Sequence, residues 1–151
     1  MIGLSAKACV RHLKVLIVED NVADARLQQF ALGAQMFDCT VTWIDTIDGA
    51  ADYFSDRIER TGGGDTDVVL LDGQVGSEDA SELLIYMKLD PLLKDIPVVV
   101  MTGSQDPRKH EGWIAQGAAS VMQKCFEIED LESGFSGLEA YARNMAAASS
   151  P

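Results

Sequence analysis

A chain of 151 residues with 47% hydrophobic and 24% charged side chains has the size of one domain with its own core and is too apolar to be mainly disordered. Its 24 acidic against 12 basic residues leave a net charge of −12, which repels nucleic acid and anionic lipid and argues against both as partners. Cys9, Cys39 and Cys125 have neither CxxC nor Cys/His ligand spacing, and no segment approaches 18 apolar residues or resembles a signal peptide; a disulfide framework, a zinc site and a membrane span are not expected, and a reducing cytoplasm is.

Residues 1–13 read as an N-terminal extension. The first apolar run is VLIV (15–18), ended by Glu19 and Asp20. Asn21 then caps a helix over 22–36. CTVTWI (39–44) is a weaker strand, and 48–60 a second helix closed by TGGGD. VVLL (68–71) runs into Asp72. A third helix opens near DASE (79–82), an Asp-x-x-Glu close to a capping box, and stops at Pro91. PVVVM (97–101) precedes Thr102, and Pro107 after Asp106 marks the first turn of a fourth helix. SVMQ (120–123) precedes Lys124, and Leu131, Phe135, Leu138, Ala142 and Met145 form the apolar stripe of a last helix. The domain spans 14–146, followed by a frayed tail at 147–151.

Continuous rather than alternating apolar runs belong to strands buried on both faces, and their alternation with helices predicts an α/β doubly wound, five-stranded parallel sheet. In such a sheet ligands bind beyond the carboxyl ends of the strands. Glu19, Asp20, Asp72, Thr102 and Lys124 all follow apolar runs, so parallel strands bring them to one edge. Each close pair of the three carboxylates there costs about 4 kcal/mol at 4 Å and an effective dielectric of 20. A divalent cation relieves this, and oxygen donors without soft ligands favour Mg²⁺. With the Lys124 ammonium and the Thr102 hydroxyl, these are the parts of phosphoryl transfer, with Asp72 as the natural nucleophile.

From Lys14 to Met145 the chain resembles the receiver domains of bacterial two-component response regulators, on VLIVEDN, VVLLD, VVVMTGS and GAASVMQK in that order, with spacings of 30 from Asp72 to Thr102 and 22 from Thr102 to Lys124. The resemblance implies a flavodoxin-like fold with strand order 2-1-3-4-5, and phosphorylation of Asp72 by a sensor histidine kinase or phosphotransfer protein. It also implies Mg²⁺ held by Asp20 and Asp72, by Glu19 through water and by the Gln74 backbone carbonyl. Thr102 and Lys124 would hold the phosphoryl group, beside the small Gly73 and Gly103. A downstream protein would read the surface of the fourth helix, fifth strand and fifth helix, and the chain would promote only its own phosphorylation and dephosphorylation. No output domain is expected, and a homodimer through the fourth and fifth helices stays open.

Four positions depart from the family. After Asp72 stand Gly73, Gln74, Val75 and Gly76, where the family usually has an apolar and a polar residue and often proline before glycine. Lys124 is followed by Cys125 instead of proline; because a cis bond before a non-proline residue costs about 3 to 4 kcal/mol, a trans bond is expected. Val121 stands where the family carries a switch aromatic. RTGGGDTD (60–67) is an insertion before the third strand and not a phosphate cradle, since it follows a helix and precedes a strand. Trp113, in the fourth helix, is read as a partly buried structural tryptophan, with a stand-in for the missing switch aromatic as the alternative; His12 and His110 are read as surface residues, and Cys125 as an inert, partly buried thiol, with a redox-sensitive one as the alternative. The rival from another class is a phosphate-independent scaffold on the same fold. A phosphatase of the haloacid dehalogenase type is excluded, because Gln74 stands where it needs a second aspartate.

Overall fold

The computed structural model describes residues 12–141 apart from 64 and 126. Most of the expected extension, the tail, Cys9 and the stripe positions Ala142 and Met145 lie outside the described residues. The elements in chain order are β1 (Leu13–Val18), α1 (Val22–Gly33), β2 (Cys39–Ile44), α2 (Ile47–Thr61), β3 (Val68–Asp72), β4 (Gln74–Val75), β5 (Glu78–Asp79), α3 (Ser81–Leu89), β6 (Val98–Thr102), α4 (Pro107–Ala115), β7 (Ser120–Gln123) and α5 (Ile128–Phe135).

Five strands form one parallel sheet in the order β2-β1-β3-β6-β7, which is the expected 2-1-3-4-5. Alternate residues of the three central strands feed two separate cores. Leu16, Val18, Val69, Leu71, Val98 and Val100 face α2, α3 and α4 through Phe54, Leu84 and Trp113. Val15, Ile17, Val68, Leu70, Val99 and Met101 face α1 and α5 through Leu32, Leu131 and Phe135. Every residue of β3 and β6 is buried, which is why these strands read as unbroken apolar runs. β2, at the edge, is only partly covered.

Local signals set the helix starts. Asn21 Oδ1 accepts the Asp24 N–H at 3.0 Å, Thr46 Oγ1 accepts the Gly49 N–H at 2.9 Å, and Asp106 Oδ1 accepts the Arg108 N–H at 3.0 Å, with Pro107 in the first turn. Gly62, at φ 78°, closes α2 in the left-handed conformation. The loop after it precedes β3 at the amino edge, where Asp65 bridges Lys14 and Arg57. No helix of the described residues is long and apolar enough to cross a membrane.

Four expectations change. Leu13, placed in the extension, is fully buried and opens β1. α1 ends at Gly33 instead of residue 36, leaving Met36 exposed. The last helix breaks at the Ser136–Gly137 turn before resuming; Leu131, Phe135 and Leu138 nevertheless stay buried, so the stripe survives the break. Finally, β4 and β5 form a small antiparallel hairpin, turned by Gly76 at φ 63°, and no reciprocal capping box opens α3. Asp79 instead accepts both the N–H and the hydroxyl of Ser81.

Removing a buried side chain from a two-sided strand leaves a cavity that neither face can fill. We expect Leu70→Ala to cost about 2 to 5 kcal/mol, whereas Met36→Ala stays within about 0.5 kcal/mol. Urea unfolding of the two variants, at unchanged slope, checks this.

Candidate functional site

β1 and β3 run in register as far as Val18 opposite Leu71, so the next residues, Glu19 and Asp72, stand side by side. β6 ends on Thr102 opposite Gln123 of β7, and the Lys124 N–H donates to Thr102 O at 2.7 Å. Parallel pairing thus brings together Glu19, Asp72, Thr102 and Lys124, and Asp20 follows Glu19 at the rim. Glu19, Asp72 and Thr102 are buried and Asp20 is exposed.

The Lys124 Nζ lies 3.0 Å from Glu19 Oε2, 2.9 Å from Asp24 Oδ2 and 3.0 Å from Asp72 Oδ1. An ammonium has three hydrogens, and here three carboxylates surround it. Burial alone would lower its affinity for the proton, but hydrogen bonds to Asp24, Glu19 and Asp72 hold it well above the ordinary lysine range. Glu19 goes the other way from a normal carboxylate. Burial first, and the adjoining Asp72 second, push its carboxyl up to about 7, against the opposing pull of Lys124 and the Asn21 N–H.

The hairpin closes the other side. Asp20 Oδ2 accepts the Gly76 N–H at 3.0 Å, and the Gly73 carbonyl accepts the Ala80 N–H at 2.9 Å. Gly73 itself donates its N–H to Met101 O at 2.9 Å. Gln74 begins β4, two residues beyond Asp72, and its side chain turns to Gly76 O. Thr102 Oγ1 accepts the Ser104 N–H at 3.0 Å, and a Cβ on Gly103 would meet nothing within 4 Å. Among the described residues no peptide bond is cis, so Lys124–Cys125 is trans as expected.

Carboxylate oxygens of Glu19, Asp20 and Asp72 lie within 4.8 Å of one another. Glu19 Oε2, fully buried, has its ion pair with Lys124 but no aligned hydrogen bond. Hard oxygen donors crowded together, one of them without a hydrogen bond, fit a divalent cation.

Sequence reasoning misses three contributors. Asp24, a third partner of Lys124, is signalled only by an acid in the first turn of α1. His110 is half-buried with Nε2 2.7 Å from Ser104 O, correcting its reading as a surface residue. Asp79 is held by Ser81 and by the Trp113 indole N–H at 3.0 Å. His12, beside Thr40, is exposed and Cys125 partly buried, as expected.

No protein-family model matches the chain, but similar proteins are clear. It is 30% identical over 128 residues to the probable methanogenesis regulatory protein FilR2 of Methanothrix harundinacea, covering 84% of this chain and 81% of that one. To the response regulator Rcp1 of Synechocystis sp. it is 28% identical over 127 residues, covering 84% and 86%. The Mn²⁺-bound structure of Rcp1 superposes with a TM-score of 0.69 at 29% identity, covering 85% of this chain and 92% of that one. The phosphorylated cyanobacterial phytochrome response regulator RcpA does so with a TM-score of 0.75 at 29% identity, covering 88% and 95%. A flavodoxin-like sheet with an acidic cluster at its carboxyl edge defines a class of signalling domain. The chain belongs to the receiver domains of two-component response regulators.

The raised Glu19 carboxyl makes the site pH-sensitive. Between the ordinary glutamate value of 4.5 and about 7 the folded chain keeps a proton that the unfolded chain has lost, so stability falls as pH rises through that window. A divalent cation needs the ionised form. The urea midpoint without metal should therefore drop between about pH 5 and about pH 7.5, and added Mg²⁺ should raise it more at the higher pH. Glu19→Gln should flatten both responses.

Proposed function

We propose that Asp72 accepts a phosphoryl group from the phosphohistidine of a sensor histidine kinase or phosphotransfer protein, in a Mg²⁺-dependent reaction in the cytoplasm. The observation that carries this reading is Asp72 Oδ1 at 3.0 Å from Lys124 Nζ, within a carboxylate cluster less than 4.8 Å across. An Asp72 oxygen attacks phosphorus, the phosphorus–nitrogen bond breaks, and its electron pair returns to the imidazole. The new group brings the side chain to about −1.5 to −2.

Asp20 and Asp72 would hold Mg²⁺ with the Gln74 carbonyl, and Glu19 through water. Bound there, Mg²⁺ supplies charge neutralisation for the phosphoryl oxygens. On phosphorylation the Lys124 ammonium, still protonated, turns its contact with Asp72 to a phosphoryl oxygen, while Glu19 and Asp24 keep it in place. The Thr102 hydroxyl turns from the Ser104 N–H to donate to the same group, into the space left open by Gly103, with Gly73 flanking. This reorganisation biases the surface of α4, β7 and α5, which a downstream protein reads. Within this reading the chain promotes only its own phosphorylation and dephosphorylation.

Incubation with acetyl phosphate and Mg²⁺, followed by intact-protein mass measurement, tests the assignment. We expect a single phosphoryl adduct that is lost without Mg²⁺ and in Asp72→Asn. Lys124→Ala should slow adduct formation by about two orders of magnitude or more, as loss of one preorganised charge does. No adduct at any Mg²⁺ concentration would transfer the chain to the phosphate-independent scaffold reading.

A further inference from the structure

α4 buries one side chain against the sheet. Of its nine residues only Trp113 is buried, whereas α1, α2 and α3 bury three or four each. Whatever shifts that indole shifts the helix. Its surroundings are the neighbourhood of Asp72. A Cβ added to Gly73 would stand 2.8 Å from Trp113 Cη2, 3.1 Å from Cζ2 and 3.4 Å from Thr102 Cβ, so the ring occupies the volume that a side chain next to Asp72 would otherwise take. Trp113, expected to be only partly buried, is 4% exposed and part of the core, but packing alone leaves its polar contacts unused.

Those contacts run to both loops of the site. The indole N–H donates to Asp79 Oδ2 at 3.0 Å, fixing the hairpin whose Gly76 N–H holds Asp20. Burial would raise the Asp79 carboxyl, yet the Ser81 and Trp113 donors hold it below its ordinary value. On its other side the ring stacks with His110, centroids 6.2 Å apart at 21°. His110 Nε2 must donate to Ser104 O, because a carbonyl only accepts, and the Ser104 N–H donates to Thr102 Oγ1. A continuous path therefore links Thr102 through Ser104 and His110 to Trp113. Val121, by contrast, is half-buried beneath the same cluster and offers neither a ring nor a polar atom.

We propose that Trp113 is the positioning residue through which the state of Asp72 and Thr102 reaches α4, by its contact with Gly73, its bond to Asp79 and its stacking on His110. This rests on the phosphorylation of Asp72 argued above. When Thr102 Oγ1 releases Ser104 to meet the phosphoryl group, the Ser104–His110 bond loses its anchor and the indole moves with the α4 backbone. Trp113 does not touch the phosphoryl group itself.

The test uses the full chain labelled with 5-fluorotryptophan, its two ¹⁹F resonances assigned through Trp43→Phe. Acetyl phosphate and Mg²⁺ are added, and the adduct is weighed in the same sample. We expect the Trp113 resonance to move with adduct formation, and amide exchange in α4 to change by about fivefold or more, the lower range of a coupling between sites. Trp113→Phe, which keeps a ring against Gly73 but loses the N–H to Asp79, should still form the adduct and lose most of the α4 response. A full adduct with an unmoved Trp113 resonance overturns the proposal, as does an undiminished α4 response in Trp113→Phe. Absence of the adduct by mass overturns the reading of Asp72 and this inference with it.

Discussion

Among the described residues, the ammonium of Lys124 is the one cation amid the four carboxylates of Glu19, Asp20, Asp24 and Asp72. It draws together the end of β1 through Glu19, the first turn of α1 through Asp24 and the end of β3 through Asp72. One charge serves three acids, and Asp20 is left to a backbone N–H of the hairpin. The site is thus built short of positive charge, and burial together with the adjoining Asp72 pushes the Glu19 carboxyl up to about 7. On the proposed function, a metal ion and a phosphoryl group would both enter an arrangement that already has a charge to settle.

This crowding follows from the sheet. Parallel strands in register must end at the same edge, and a right-handed crossover after each one places a helix start there too. The Glu19–Asp72 contact is therefore the cost of burying both faces of β1 and β3. Because those strands are buried on both faces apart from Lys14 near the start of β1, their polar residues gather at the ends. The hairpin of β4 and β5 is then tied to the rim by the Gly76 N–H on Asp20.

The central strands were legible because burial on both faces leaves an unbroken apolar run, and the site because each of its residues follows such a run. Glu19, Asp72, Thr102 and Lys124 meet where their order predicts. What stayed hidden depends on contacts far apart in sequence. Asp24 is one more acid in an acidic chain until Lys124, 100 residues away, comes to rest against it. The hairpin has strands of two residues each, too short for any periodicity. Asp79 resembles the start of a capping box, and only the fold reveals that Trp113 competes for the same carboxylate. His110 reads as a polar helix residue until Ser104 curls back beneath it.

The contact between Gly73 and the Trp113 ring also constrains the routes by which such a chain can diverge. A side chain at position 73 and an indole at 113 cannot share the space behind Asp72. A lineage that regains an apolar residue at 73 must first shrink the ring at 113, and a lineage acquiring the ring must first give up the side chain. The two positions lie 40 residues apart on different elements, yet one order of replacement passes through a loosely packed intermediate and the other through a collision. Relatives with a bulky residue after the phosphoacceptor and relatives with a buried tryptophan here should then form separate branches, connected through chains that are small at both positions.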